Sequence, residues 1–247
     1  MELPQISAII MDAMVALILL GMVFSGCRKG FLVSAVNAAG YLVSCIGAYI
    51  GSRVLTSTVY ESFIRDKLVA SVGDALAATV TDADITMQVT NALKGVPGIL
   101  RNMVYGFFGN SSEIAAQIED KVLTSAGSMS GALVDQMLYP VIYVVLQSVF
   151  FLLLFAAMRI ILGAVVEALR NIRKFPLVGT ADTLAGGAMG FVEAILVLFV
   201  VVLVIRFFIS VSGNKIPFLN DETISLTYVF KLFYRFGPFS GTWAALN

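Results

Sequence analysis

The stretch Val178-Gly179-Thr180-Ala181-Asp182-Thr183-Leu184-Ala185-Gly186-Gly187-Ala188-Met189-Gly190 runs straight into the unbroken apolar segment 191–211, and this junction decides the fold. A polar turn feeds a helix that opens on small residues and becomes wholly apolar. Asp182 falls near the helix start, where a carboxylate accepts from free backbone N–H groups and suits the positive end of the helix dipole. Gly186 and Gly190 are four residues apart, with Ala194 four further on. In lipid such spacing makes a groove into which another helix presses its backbone. The run of Val, Leu, Ile and Phe that follows has the length and character of a membrane span.

Composition agrees with that reading. Of 247 residues, 59% are hydrophobic and only 13% charged, which is not the make-up of a soluble domain. Lys and Arg number 16, as do Asp and Glu, so the net charge is zero and no nucleic-acid partner is expected. The absence of histidine removes the commonest general base, metal ligand and pH switch. Cys27 and Cys45 both lie in apolar segments, so neither a disulfide nor a zinc site is expected. No cofactor or metal is anticipated, and the carboxylates are scattered without the partners that catalysis needs. The expectation is a protein that is not an enzyme, with the lipid bilayer as its first partner.

Outward from the opening stretch, three more spans appear. The first, 6–24, ends at the basic turn Gly26-Cys27-Arg28-Lys29-Gly30. It carries Glu2 before it and Asp12 inside it, unlike a cleavable signal, which starts with basic charge. The second, 31–55, carries Gly40, Ser44, Gly47 and Gly51 at three- and four-residue steps, a small-residue stripe expected to meet another span. The third, 139–169, opens with Tyr139 and Tyr143, suited to an interfacial belt.

Residues 57–137 are a different material. Tyr60, Phe63, Ile64, Leu68, Val72 and Leu76 fit one helix face, as do Ile85, Val89, Ala92 and Leu93, and then Leu100, Met103, Val104, Phe107 and Phe108. Breaks fall at 94–98 and 109–112, with Ser111 or Ser112 as the expected N-cap of a fourth helix. These helices are too polar to span. They either lie on the bilayer surface or pack on one another as a solvated domain. The tail, 223–239, interleaves aromatic residues with Lys231 and Arg235 and reads as one interfacial helix. The expected fold is therefore all-α and integral to the membrane, a four-transmembrane-helix bundle with an amphipathic insert. Its parts are 1–56, 57–137, 138–211 and 212–247.

Charge sets the orientation. The short loops hold Arg28 and Lys29, and Arg170, Arg173 and Lys174, whereas 57–137 holds five bases against nine acids, a net of −4. Positive charge stays cytoplasmic, which puts the insert and both termini outside. Asp12, Asn37, Arg159 and Glu193 are the polar residues deep in spans, where a charge is costly unless paired or hydrated. Arg159 precedes Arg170 by eleven residues and Glu193 follows Asp182 by eleven, so both fall about 16 Å from one face. An Arg159–Glu193 ion pair is the expectation. Asp12 falls roughly 24 Å from the same face, within reach of Arg53 or Arg206 by snorkelling.

Two stretches together resemble the bacterial colicin V production protein (CvpA) family: Asp12 in span one with Arg28, Gly30 and Phe31 in the turn after it, and Asp182 with Gly186 and Gly190. The chain departs from the family pattern at Ser34, Thr183 and Glu193-Ala194, and its insert is long. The resemblance implies a bacterial inner-membrane protein connected with production and export of a peptide toxin and with envelope homeostasis. On the residues alone there are two readings. One is a non-enzymatic bundle that assists an export system. The other is an oligomeric channel or transporter with Asp12, Asn37, Arg159 and Glu193 along its path.

Overall fold

The computed structural model describes residues 3–78, 85–122, 129–172, 179–213 and 216–236. Arg173, Lys174 and Val178, the side chain of Arg170, and the residues after Phe236 lie outside what is described. The described chain is helical, with no β-sheet. Four helical runs, Pro4–Lys29, Phe31–Ala77, Val134–Ala164 and Thr180–Ser212, are long and apolar enough to cross a membrane. They fall mainly on α1 (Leu3–Lys29), α2 (Phe31–Val59), α8 (Tyr139–Ile172) and α9 (Thr180–Ser212). Contacts divide the described residues into two compact units. One draws on Met1–Arg53, Ser148–Arg206 and Pro217–Ser240, the other on Val54–Gln147 and Phe207–Ile216.

In the first unit α1 stops because Gly30 takes a left-handed φ of 78° while its N–H closes on the Gly26 carbonyl at 3.0 Å. The chain restarts at once as α2. Ala48 of α2, Phe151 of α8 and Leu203 of α9 form a small buried cluster, flanked by Leu154, Phe155 and Val200. The tail is not the single helix expected. It forms α10 (Asp221–Ser225) and α11 (Phe230–Phe236), with Asn220 capping the first by accepting from the Thr223 N–H at 2.8 Å.

The second unit contains the insert, and it packs on itself. Its helices are α3 (Arg65–Ala77), α4 (Ile85–Lys94), α5 (Gly98–Phe108), α6 (Ser111–Val122) and α7 (Met129–Leu133). Leu68, Val72, Val89, Leu93, Met103, Val104, Ile114 and Leu133 are buried in one core. Two wide π-helical turns, Tyr60–Ile64 and Val134–Leu138, join α2 to α3 and α7 to α8. The rings of Tyr60 and Tyr139 meet edge to face at 4.7 Å. The Arg65 guanidinium donates to both Asp135 carboxylate oxygens, at 3.0 and 2.8 Å. Phe63 is exposed rather than on the buried face, because a π-turn advances fewer degrees per residue and rotates it outward.

The N-cap of α6 is Asn110 rather than Ser111 or Ser112. Its Oδ1 accepts from the backbone N–H groups of Ser112 and Glu113, both at 3.1 Å, and Glu113 accepts in return from the Asn110 N–H at 3.1 Å. This reciprocal box satisfies three otherwise free donors. Asn110→Ala is expected to cost the insert about 1 kcal/mol. Hydrogen exchange would read this as faster exchange at the start of α6, with α9 unchanged.

Candidate functional site

The residues singled out in the spans fall into three places in the first unit. The first is the α1–α2 turn against the start of α9. Asp182 lies in the first turn of α9, but its carboxylate accepts from the Phe31 N–H at 3.0 Å, the first donor of α2. One carboxylate thereby caps α2 while standing at the positive end of the α9 dipole. Gly30 makes this possible, since a Cβ there would collide with the Asp182 carboxylate. Phe31 itself is exposed, as is Arg28, whose guanidinium sits 5.5 Å from the Phe24 ring centroid. Ser34 is fully buried and donates to the Gly26 carbonyl at 3.3 Å, tying the first turn of α2 back to α1.

The glycines explain how closely these helices approach. A Cβ on Gly26 would strike the Gly186 carbonyl oxygen, one on Gly186 would strike the Gly26 carbonyl, and one on Gly190 would strike that of Met22. Here α1 and α9 touch backbone to backbone. Gly40, Gly47 and Gly51 act differently. They receive side chains of α8: a Cβ at Gly47 would lie 2.6 Å from the Met158 methyl and one at Gly51 2.8 Å from Leu154. A Cβ at Gly40 would lie 3.3 Å from Arg159 Nη1. Ser44, in the same stripe, is buried and donates to the Gly40 carbonyl at 2.8 Å.

The second place is the middle of α2, α8 and α9. Arg159 and Glu193 do not form the expected ion pair. The guanidinium of Arg159 instead lies flat against Tyr41, 3.6 Å from the ring centroid. An aromatic face on the adjacent helix, with Gly40 leaving room beside it, competes with the carboxylate for the cation. Glu193 is 4% exposed and has no hydrogen-bond donor among the described residues. Asn37, one turn before Tyr41, is half-buried and likewise makes no hydrogen bond among them.

The third place holds Asp12. Among the described residues no arginine pairs with it. Arg206 donates to the Tyr234 carbonyl and lies over the Tyr234 ring at 4.2 Å, while Arg53 lies over Tyr49 at 5.7 Å. The carboxylate of Asp12 instead accepts from three successive backbone N–H groups: Tyr228 at 2.7 Å, Val229 at 2.9 Å and Phe230 at 2.9 Å. The next donor, Lys231 N–H, goes to Thr227 Oγ1 at 3.0 Å. The four successive N–H groups from Tyr228 to Lys231, which lead into α11, are all met by side chains, three of them by a residue 216 to 218 positions away in the chain. This is why the tail breaks between α10 and α11. Tyr234 closes the contact by donating to Asp221 at 3.0 Å. Burial, and after it the Asp221 carboxylate, push the Tyr234 phenol well above the ordinary tyrosine range.

The polar residues of the spans therefore do not converge on one place. Among the described residues no cluster of three His, Cys, Asp or Glu side chains is placed to hold a metal. No family model, no curated protein and no solved structure matches the chain.

Gly186→Ala should lower the melting temperature by several degrees although alanine favours a helix over glycine by about 1 kcal/mol, because the backbones must separate. Gly163→Ala, where a Cβ meets nothing within 4 Å, should leave it unchanged or raise it. Asp12→Ala should loosen the tail by about 2 kcal/mol, seen as faster proteolysis between α10 and α11. The wild-type tail should be fully docked below the ordinary tyrosine range and come free as pH climbs through the raised Tyr234 value, since the folded state holds that proton more tightly.

Proposed function

We propose that this chain is a non-enzymatic bacterial inner-membrane protein, a four-helix bundle that assists production and export of a colicin V-like peptide toxin and maintains the envelope. The arrangement of Asp12 carries the reading. A carboxylate inside a span is a functional candidate by default, and here it is occupied by the N–H groups of the tail helix. Asp182 is occupied in the same way by α2. Of the residues that would line a solute path, Asp12 holds the tail helix and Arg159 lies on Tyr41 of α2, which suits a scaffold better than a channel. The likeness at Asp12, Arg28-Lys29-Gly30-Phe31 and Asp182 with Gly186 and Gly190 supplies the toxin-export context. On this reading the insert and both termini face away from the cytoplasm, and the partner is an export system or a second copy of the chain.

The alternative is an oligomeric channel or transporter for a small solute or ion, favoured by one observation, the buried Glu193 without a donor. The test is secretion. In a toxin-producing strain, loss of the gene should cut extracellular toxin at least about tenfold while the intracellular precursor persists. The wild-type gene should restore it and Asp12→Ala should not. Unchanged secretion would sink the proposal, and ion flux into liposomes carrying the pure protein would favour the alternative. A reporter enzyme fused after Asn247 should be active only outside the cytoplasm.

A further inference from the structure

Among the described residues Glu193 is a buried span carboxylate without a fastening role. Asp12 and Asp182 each accept backbone N–H groups. Glu193 is 4% exposed, lies in the apolar part of α9 and accepts from no described residue. The charged groups that act on it are Lys29, exposed at the end of α1, and Arg159 of α8. Neither forms an ion pair with it. On α2, the side facing Arg159 presents Tyr41, whose ring holds the guanidinium, and the Cys45 thiol, on which Arg159 also acts.

A bare carboxylate without donors is the most expensive occupant of such a position; the neutral acid is far cheaper. Arg159, for its part, rests on one berth and its charge acts on a second. One is the Tyr41 face, kept open by Gly40. The other is the Glu193 carboxylate, on a helix that shares the Ala48–Phe151–Leu203 cluster with α2 and α8. A long flexible cation between an aromatic face and a carboxyl group chooses by the carboxyl group's charge.

We infer that Glu193 is a proton-binding site within the membrane, and that its proton decides whether Arg159 fastens α8 to Tyr41 of α2 or to Glu193 of α9. The state described here, with Arg159 on Tyr41, is the protonated one. Removing the proton leaves a carboxylate that draws Arg159 off the ring. The switch needs no aqueous channel and holds whether or not the protein takes part in export.

A membrane-soluble carbodiimide tests this, because it adds only to carboxylic acids that carry their proton in an apolar setting. The full chain in liposomes is treated with dicyclohexylcarbodiimide and the adduct located by peptide mass spectrometry. The expected result is modification of Glu193 that falls at least about tenfold as the pH is raised, as an acid losing its proton requires. Tyr41→Leu, which removes one berth, should lower the modification severalfold at fixed pH, whereas Tyr41→Phe, which keeps a ring, should behave as wild type. Arg159→Gln should extend modification to higher pH. The inference is overturned if Glu193 stays unmodified in wild type while a reactive proteolipid carboxyl in the same liposomes is labelled. It is equally overturned if its labelling ignores pH, or if Tyr41→Leu and Arg159→Gln both label like wild type. The mapped wild-type adduct and its pH profile decide the proton site even where a variant misfolds, and neither depends on toxin secretion.

Discussion

Every α-helix begins with N–H groups that its own carbonyls cannot reach. Two aspartates of this chain answer that constraint for helices other than their own. Asp182 of α9 serves α2 through Phe31, and Asp12 of α1 serves α11 through Tyr228, Val229 and Phe230. Each bond joins parts of the chain more than 150 residues apart, so each closes the architecture as well as a helix end. The charge also lies where the helix dipole is positive, which stabilises a carboxylate that would be costly elsewhere in a span. The close approach of α1 and α9 at Gly26, Gly186 and Gly190 keeps Asp182 within reach of Phe31. A larger side chain at any of the three would separate the helices and strand the donor.

Small residues have two meanings here. At Gly26, Gly186 and Gly190 the missing Cβ lets one backbone lie on another. At Gly40, Gly47 and Gly51 it leaves a recess for a side chain of α8. The first kind sets a short distance between helix axes, whereas the second accommodates long side chains such as Met158 and Arg159. Spacing alone does not separate the two, because both fall at three- or four-residue steps. What separates them is the opposing residue: glycine in one case, a long side chain in the other.

That difference also marks how far the sequence could be read. The four long apolar helices, the small-residue stripe on α2 and the apolar faces of the insert follow from composition and periodicity, which are local properties. The partner of each polar group does not, because it depends on which helices become neighbours. Depth counting put Arg159 and Glu193 at one level, and level is a statement about one axis only. Tyr41 on the adjacent helix offered Arg159 a closer face that no charge pattern announces. The tail read as one helix because its aromatic periodicity is continuous, while its break is imposed by Asp12, 216 positions away. Two serines beside Asn110 offer the same capping chemistry in the sequence, but an Asn three residues before Glu113 is the one that completes the box.

One pattern on the helical run from Phe31 to Ala77 ties these points together. Gly40, Ser44, Ala48, Ser52, Thr56, Tyr60, Ile64, Leu68, Val72 and Leu76 stand at strict four-residue steps, and every one is buried or half-buried. Four residues overshoot an α-helical turn by about 40°. Such a row would wind steadily around the helix, and the π-turn at Tyr60–Ile64 reduces the overshoot just where the row enters the insert. The row also changes material there. From Gly40 to Thr56 it is glycine, alanine, serine and threonine, and from Tyr60 to Leu76 it is tyrosine, isoleucine, leucine and valine. In lipid, where burying apolar surface gains little, helices associate through small residues and hydroxyls. In water, where it gains about 25 cal/mol per Å2, they associate through bulky apolar side chains. A single buried row thus switches from small and hydroxyl residues to bulky apolar ones between Thr56 and Tyr60, on one face of one continuous helical run rather than across a loop.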